Sequence, residues 1–266
     1  MSSPSARAGY VDTRLGQLHY RVRGQGRPLL LLHPPPRSSL VYRRLMAAFE
    51  EIGGVRVIAL DLPGFGLSCD LPAGITMAGI ADVVAQAIVA LHGSAVSVFG
   101  LHTGNKVAAA LAAGHPAQMD RVILAGMTHS IIVDAQRRNE AMRAYVQTKP
   151  PTDPAQDPPA WRDEQVDRLN ARGVDTLYAA NYGFDLASVL PLIQAPTMVL
   201  ELAVPQEESL GRQADALCAL LRHGRAVCMA GDDRDLLQSR PRKLASVIAQ
   251  YLNESAGHGA SKEIPE

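Results

Sequence analysis

Six short, mostly apolar runs constrain this chain more than any other feature, because helix-length sequence lies between them. They are Leu29–Leu32, Val55–Leu60, Ala95–Phe99, Arg121–Ala125, Thr197–Leu202 and Ala226–Met229. A short apolar run after a turn signal, such as Gly24-Gln25-Gly26 before the first, reads as a strand buried on both faces. The intervening stretches 40–52, 77–91, 105–114, 210–221 and 242–252 have helical patterning. Strand–helix alternation of this kind predicts an α/β fold, with a mostly parallel central sheet and helices on both faces. Tyr10–Val22 alternates around Gly16-Gln17 and is expected to lead the sheet as an antiparallel hairpin.

The alternation breaks between residues 132 and 190. This stretch is polar and helix-prone over 134–147 and 161–183, and it is divided by the proline-rich segments 149–154 and 158–159. A long excursion between two core strands predicts a small helical cap over a site. The expected organisation is a core of 1–131, a cap of 132–190, the rest of the core over 191–253, and a disordered tail over 254–266. That tail is rich in Gly, Ser, Lys and Glu.

Charge narrows the partner classes. Twenty-six basic and twenty-six acidic residues give a formal net charge of +0, without the basic excess that nucleic acid or a membrane surface demands. No apolar run reaches the roughly 18 residues of a membrane span, and Met1–Gly9 carries no apolar signal segment. A cytoplasmic location is therefore expected. Cys69, Cys218 and Cys228 are too scattered for a disulfide framework or a zinc site. No cluster has metal-ligand spacing and no Gly-rich phosphate loop follows a first strand, so neither metal nor nucleotide cofactor is expected. The expected partner is a small-molecule substrate; oligomeric state is not legible.

Motifs in a fixed order carry the functional reading. His33 closes the first buried run. Asp61-Leu62-Pro63-Gly64-Phe65-Gly66-Leu67-Ser68 follows the second, and Gly100-Leu101-His102-Thr103-Gly104 follows the third. Ala195-Pro196 leads into the Thr197 run, and Gln238-Ser239-Arg240-Pro241 precedes the last helix. Over residues 17–252 this order resembles the capped α/β-hydrolases, in particular their epoxide-hydrolase-like and meta-cleavage-hydrolase-like branch. The resemblance implies that 100–104 is the nucleophile elbow, a sharp strand-to-helix turn that lifts its middle residue above the sheet. Gly100 and Gly104 suit that turn, where neighbouring backbone presses close. It also implies that Asp61 braces the Pro63-Gly64 turn.

The chemistry departs from the family pattern at three places. The elbow apex is His102 instead of Ser, Cys or Asp. The loop after His33 reads Pro34-Pro35-Pro36, and proline has no N–H to offer an oxyanion. Where the family places its general-base His, the stretch 231–237 contains none, and Arg234 falls at that position. An arginine is not a base at neutral pH, so a Ser-His-Asp mechanism is excluded. Thr103 lies one residue off the apex, which leaves its backbone N–H as an oxyanion donor; Arg37, Ser38 or Ser39 could supply another from a side chain.

His102 itself is the expected working group, because an imidazole titrates near neutral pH and suits proton transfer. General-base action is favoured over nucleophilic attack, which would still want the weakened oxyanion hole. Asp232, Asp233 or Glu207 could orient the ring, and Arg234 could hold an anionic substrate. His129, after the Arg121 run, sits at the strand edge where site residues collect; His33 is expected to stabilise its turn or line the pocket. Trp161, Tyr178, Tyr182 and Phe184 are read as the core of the cap or as substrate contacts. The expected function is turnover of an ester, lactone or related carbonyl compound. The alternatives are base-catalysed lyase, decarboxylase, isomerase or cyclase chemistry, and a catalytically dead binding protein.

Overall fold

The computed structural model describes residues 6–148, 152–254 and 262–263. The strands are β1 (Arg7–Thr13), β2 (Gly16–Arg23), β3 (Arg27–Leu32), β4 (Val55–Leu60), β5 (Val96–Leu101), β6 (Met119–Met127), β7 (Thr197–Ala203), β8 (Gly224–Ala230) and β9 (Lys262–Glu263). They form one sheet in the order β1-β2-β4-β3-β5-β6-β7-β8-β9. β1 and β2 make the expected hairpin, β2 runs antiparallel to β4, and every later pairing is parallel.

Side-chain alternation explains why the runs read as continuously apolar. Leu30 and Leu32 of β3 pack with Ile58, Leu60, Val98, Val122 and Leu124 on one face. Leu29 and Leu31 pack with Val57, Ala59, Phe99, Ile123 and Ala125 on the other. Both faces are covered, so both parities must be apolar. Helices α1 (Arg43–Ile52) and α9 (Pro241–Asn253) cover the second face. Helices α2 (Met77–Leu91) and α3 (Thr103–Gly114) cover the first.

Between β6 and β7 the chain forms α4 (Ala135–Thr148), α5 (Pro158–Leu169), α6 (Val174–Tyr182) and α7 (Leu186–Val189). The expected single helical stretch 161–183 is broken at 170–173. There Gly173 donates its N–H to Gly64 O at 2.9 Å, and a Cβ on Gly64 would stand 2.8 Å from Gly173 Cα. That approach fixes the insertion to the loop after β4. The expected helix 210–221 is shortened to α8 (Ala214–Cys218) after a 3-10 turn at Pro205–Leu210. Gly211 takes φ +67°, and the Glu201 carboxylate accepts from the Gln213 and Ala214 N–H groups at 3.0 and 2.9 Å, capping the shorter helix. The first stretch, 40–52, opens as a 3-10 turn, Ser39–Tyr42, before α1.

Of the tail, residues 255–261 and 264–266 lie outside the described residues, and Lys262–Glu263 pairs with β8. Among the described residues no helix is long and apolar enough to cross a membrane.

The strand order reverses at β3. The chain leaves β3 through α1 to β4 on one side, then returns through α2 to β5 on the other. Open α/β sheets bind ligands at such a switch point, beyond the strands' carboxyl ends. His33 follows β3 there and His102 follows β5.

Candidate active site

The turn at 100–104 is an elbow by geometry. His102 has φ 51° and ψ −114°, the one positive φ outside glycine among the described residues. Such a conformation costs on the order of 1–3 kcal/mol and needs its surroundings to hold it. His102 N–H donates to Ala125 O at 2.9 Å, and Asn105 Nδ2 donates to the same carbonyl at 2.9 Å. A Cβ on Gly100 would stand 2.3 Å from Gly104 O, and one on Gly104 would stand 2.2 Å from Leu32 O. No residue but glycine fits either place.

Beneath the turn, the Lys106 ammonium is buried and donates to the carbonyl oxygens of His102, at 3.4 Å, and Ser130. Burial, and then the charge of Arg138, hold its pKa well below the usual lysine range. The buried Arg138 guanidinium donates in turn to Phe184 O at 2.7 Å. Lys106 thus ties the elbow to the segment after β6, and Arg138 ties the first helix of the insertion to Phe184 near its end.

Above the turn, His102 faces a cavity of about 310 Å³. Its Nε2 lies 3.5 Å from Asp233 Oδ2, and both side chains are buried. Of the three carboxylates expected to orient the ring, Asp233 is the one at His102. Asp232 instead accepts from the Asp235 N–H at 2.6 Å. Glu207 binds His129: its Oε1 is 2.5 Å from His129 Nδ1, and its Oε2 accepts the His129 N–H at 3.1 Å. The carboxylate fixes the tautomer with hydrogen on Nδ1.

His129 also stacks on His102, with ring centroids 5.5 Å apart and planes 14° apart, and on Tyr145 of α4 at 4.3 Å and 23°. A second cavity of about 430 Å³ lies beyond, sharing His129, Tyr145 and Arg234 with the first.

The remaining expected residues divide by position. Thr103 and Arg234 line the first cavity, as do Pro34, Pro35, Pro36 and Arg37. Thr103 opens α3, so its N–H has no partner within the helix. Arg37 N–H turns back to Pro34 O at 2.9 Å, and its guanidinium pairs with Asp167 of α5 at 2.7 Å. Ser38 lies outside the lining: its hydroxyl donates to Asp167 at 2.5 Å and accepts the Leu40 N–H at 3.2 Å. His33 is likewise absent from the lining. It donates from Nδ1 to Pro34 O at 3.2 Å and accepts the Leu62 N–H at Nε2 at 2.9 Å. Burial lowers its pKa in this structural position.

Asp61 lies in the packing below, accepting from the Ser39 N–H at 2.7 Å, the Leu67 N–H at 3.0 Å and His19 Nδ1 at 2.8 Å. Burial alone would raise its pKa. The His19 bond, the nearby His33 and the Ser39 bond outweigh it and bring the carboxyl down to about 2.

Of the insertion's aromatic residues, Tyr178 lines the cavity and Tyr182 stacks on it at 5.8 Å. Trp161 is more than a third exposed, and Phe184 packs against the core. Sequence reasoning missed Tyr145 and the Glu164–Arg168 ion pair, which lies 2.7 Å apart in the cavity wall. Helical spacing alone did not separate a wall residue from an outward one there. The His129–Glu207 pairing was also missed: it follows from β6 and β7 lying side by side, which the apolar runs do not state. Among the described residues, no group of three His, Cys, Asp or Glu side chains is placed to hold a metal ion.

Comparison with known proteins bears on this arrangement. A family model described as alpha/beta hydrolase fold matches residues 27–199. A haloalkane dehalogenase of Mycolicibacterium paratuberculosis is 32% identical over 148 residues, 52% of this chain and 48% of that protein. The chain spans about half or less of the length of the curated dehalogenases it matches. A thermophilic esterase from Thermogutta terrifontis, solved with malate bound, superposes with a TM-score of 0.69 at 20% identity, over 93% of this chain and 98% of that one. The enol-lactonase from Burkholderia xenovorans gives 0.68 at 21% identity, over 92% and 100%. At these identities the two solved structures establish likeness of fold.

Proposed function

Because this chain belongs to the alpha/beta hydrolase-fold family, we propose that it is an enzyme acting on a small organic molecule, with His102 as general base. The observation that carries this reading is the placement of His102 Nε2 at a cavity, 3.5 Å from Asp233 Oδ2. A neighbouring carboxylate favours an imidazolium, so it assists the ring at the moment it takes a proton. The separation is longer than a hydrogen bond, and in the reacting complex the ligand's acidic atom approaches Nε2 beside the carboxylate.

The helical insertion serves as the cap. Tyr145 and Tyr178 bring aromatic surface to the cavity, while Asp157, Asp163 and Asp167 pair with Arg44, Arg43 and Arg37 to hold the insertion down. The volume suits a small ligand, in keeping with the esters, lactones and haloalkanes that the relatives' names imply. An ester, lactone or related carbonyl compound is the first substrate class; no metal or nucleotide is required.

A second reading is favoured by one observation. Pro34, Pro35 and Pro36 line the cavity where backbone N–H donors would receive an oxyanion. Proton-transfer chemistry, as in a lyase, decarboxylase or isomerase, depends less on that missing donor than acyl transfer does.

Turnover of esters, lactones, β-keto acids and epoxides by wild type and His102→Gln tests the proposal. The expected result is turnover in at least one class and a loss of about 100-fold on substitution, or about 2.7 kcal/mol of transition-state stabilisation. Undiminished turnover by His102→Gln removes the base. Absence of turnover by the wild type supports a binding protein instead.

A further inference from the structure

The His129–Glu207 pair has no part in the general-base step of His102 alone. It has the form of a working base. A carboxylate holds Nδ1–H at 2.5 Å and the backbone N–H at 3.1 Å, so the ring is fixed in orientation and tautomer, with Nε2 left as the basic atom. Among the described residues Nε2 has no hydrogen-bond partner, and the ring lines the cavity that His102 faces. A buried carboxylate–imidazole pair placed only for packing would have no reason to open onto that cavity and stack on a second imidazole.

We propose that His102 and His129 act together as a coupled acid–base pair that shares one proton. This rests on the reading of His102 as a proton-transfer group and adds its partner. Two imidazolium rings with centroids 5.5 Å apart repel, so protonating one disfavours protonating the other. Asp233 and Glu207 each favour one proton on its own ring. Arg234, lining both cavities, opposes a second. The other charged or titratable groups around the pair are Tyr145, Tyr178, the Glu164–Arg168 pair, Arg37 with Asp167, and Lys106 below the elbow.

The ligand class that uses such a pair is a carbonyl compound with an acidic C–H beside the carbonyl. The neutral imidazole takes the carbon-bound proton, and the C–H electron pair becomes the C=C bond of an enol. The imidazolium gives its proton to the carbonyl oxygen as the C=O π pair moves onto that oxygen. The pair ends with one proton, as it began, now on the other ring. Protonating the oxygen directly also removes the need for the backbone donors that the three prolines cannot supply.

Titrating the histidine rings by NMR tests the coupling without a substrate. In wild type the His102 and His129 signals are expected to share two inflections. His129→Asn should raise the His102 midpoint by roughly one pH unit, and His102→Asn should raise that of His129 equally, since coupling is reciprocal. Independent single titrations in the wild type overturn the proposal, even if neither variant folds. On a carbonyl substrate found in the turnover panel, His129→Gln should lose about 100-fold in kcat with KM unchanged, and Glu207→Gln should shift one limb of the pH profile. If His129→Gln keeps full turnover while His102→Gln does not, the pair falls and the single base stands. If His102→Gln also keeps it, both fall.

Discussion

At the scale of single residues, the candidate site is braced by groups that lie outside the cavity lining. Asp61 is the clearest, with its carboxyl brought down to about 2 by His19, His33 and backbone N–H groups against the cost of burial. A depressed carboxylate adds stability that is complete above its unfolded value of 3.8 and is lost as pH falls through the folded value. A shift of that size corresponds to about 2 kcal/mol. Asp61→Asn is therefore expected to lower unfolding free energy by about that amount at pH 7, with the gap from wild type narrowing between pH 4 and 2. Urea unfolding at pH 7 and pH 3 checks this; a gap independent of pH contradicts it. The bracing role of Asp61 was legible because its loop motif was. The selection of Asp233 over Asp232 and Glu207 at His102 was not, because the chain between β8 and α9 winds as an irregular turn at Asp235–Ser239, whose register no periodic pattern marks.

At the scale of elements, the β5–α3 elbow concentrates the constraint. Only His102 separates the end of β5 from the start of α3, and the carbonyl of Leu32 on β3 presses against Gly104. Gly104→Ala is expected to cost about 3 kcal/mol, because a backbone contact cannot yield as a flexible side chain would. Gly114 closes the same helix with open space around it, so Gly114→Ala should be neutral or slightly stabilising. Thermal unfolding of the two variants side by side measures the difference; equal melting temperatures contradict it. The elbow was readable as Gly-x-His-x-Gly between an apolar run and a small-residue helix. The break between α5 and α6 was not, because it is set by Gly173 meeting Gly64, more than a hundred residues away in sequence.

At the scale of the whole molecule, the sheet order brings distant loops to one place. β3, β5, β6, β7 and β8 stand side by side. The segments beyond their carboxyl ends therefore deliver the prolines, His102, His129, Glu207 and Asp233 to neighbouring positions. The expected parallel sheet placed that edge from the apolar runs, and the Gly100–Gly104 motif placed the candidate site upon it. Which side chains pair across the edge depends on strand adjacency, and the runs do not state their order. The formal charge of +0 fits this picture, since many ion pairs are internal to the fold, including those between the insertion and residues 37–44.

The central claim is that His102 moves protons and does not form a bond to the substrate. Intact-protein mass spectrometry of acid-quenched mixtures, taken during turnover of the best substrate from the panel, tests it most directly. The account predicts an unchanged protein mass at every time point, together with loss of turnover in His102→Gln. A substrate-derived mass added to the peptide carrying His102, forming and decaying at the rate of turnover, would contradict it and make His102 the nucleophile.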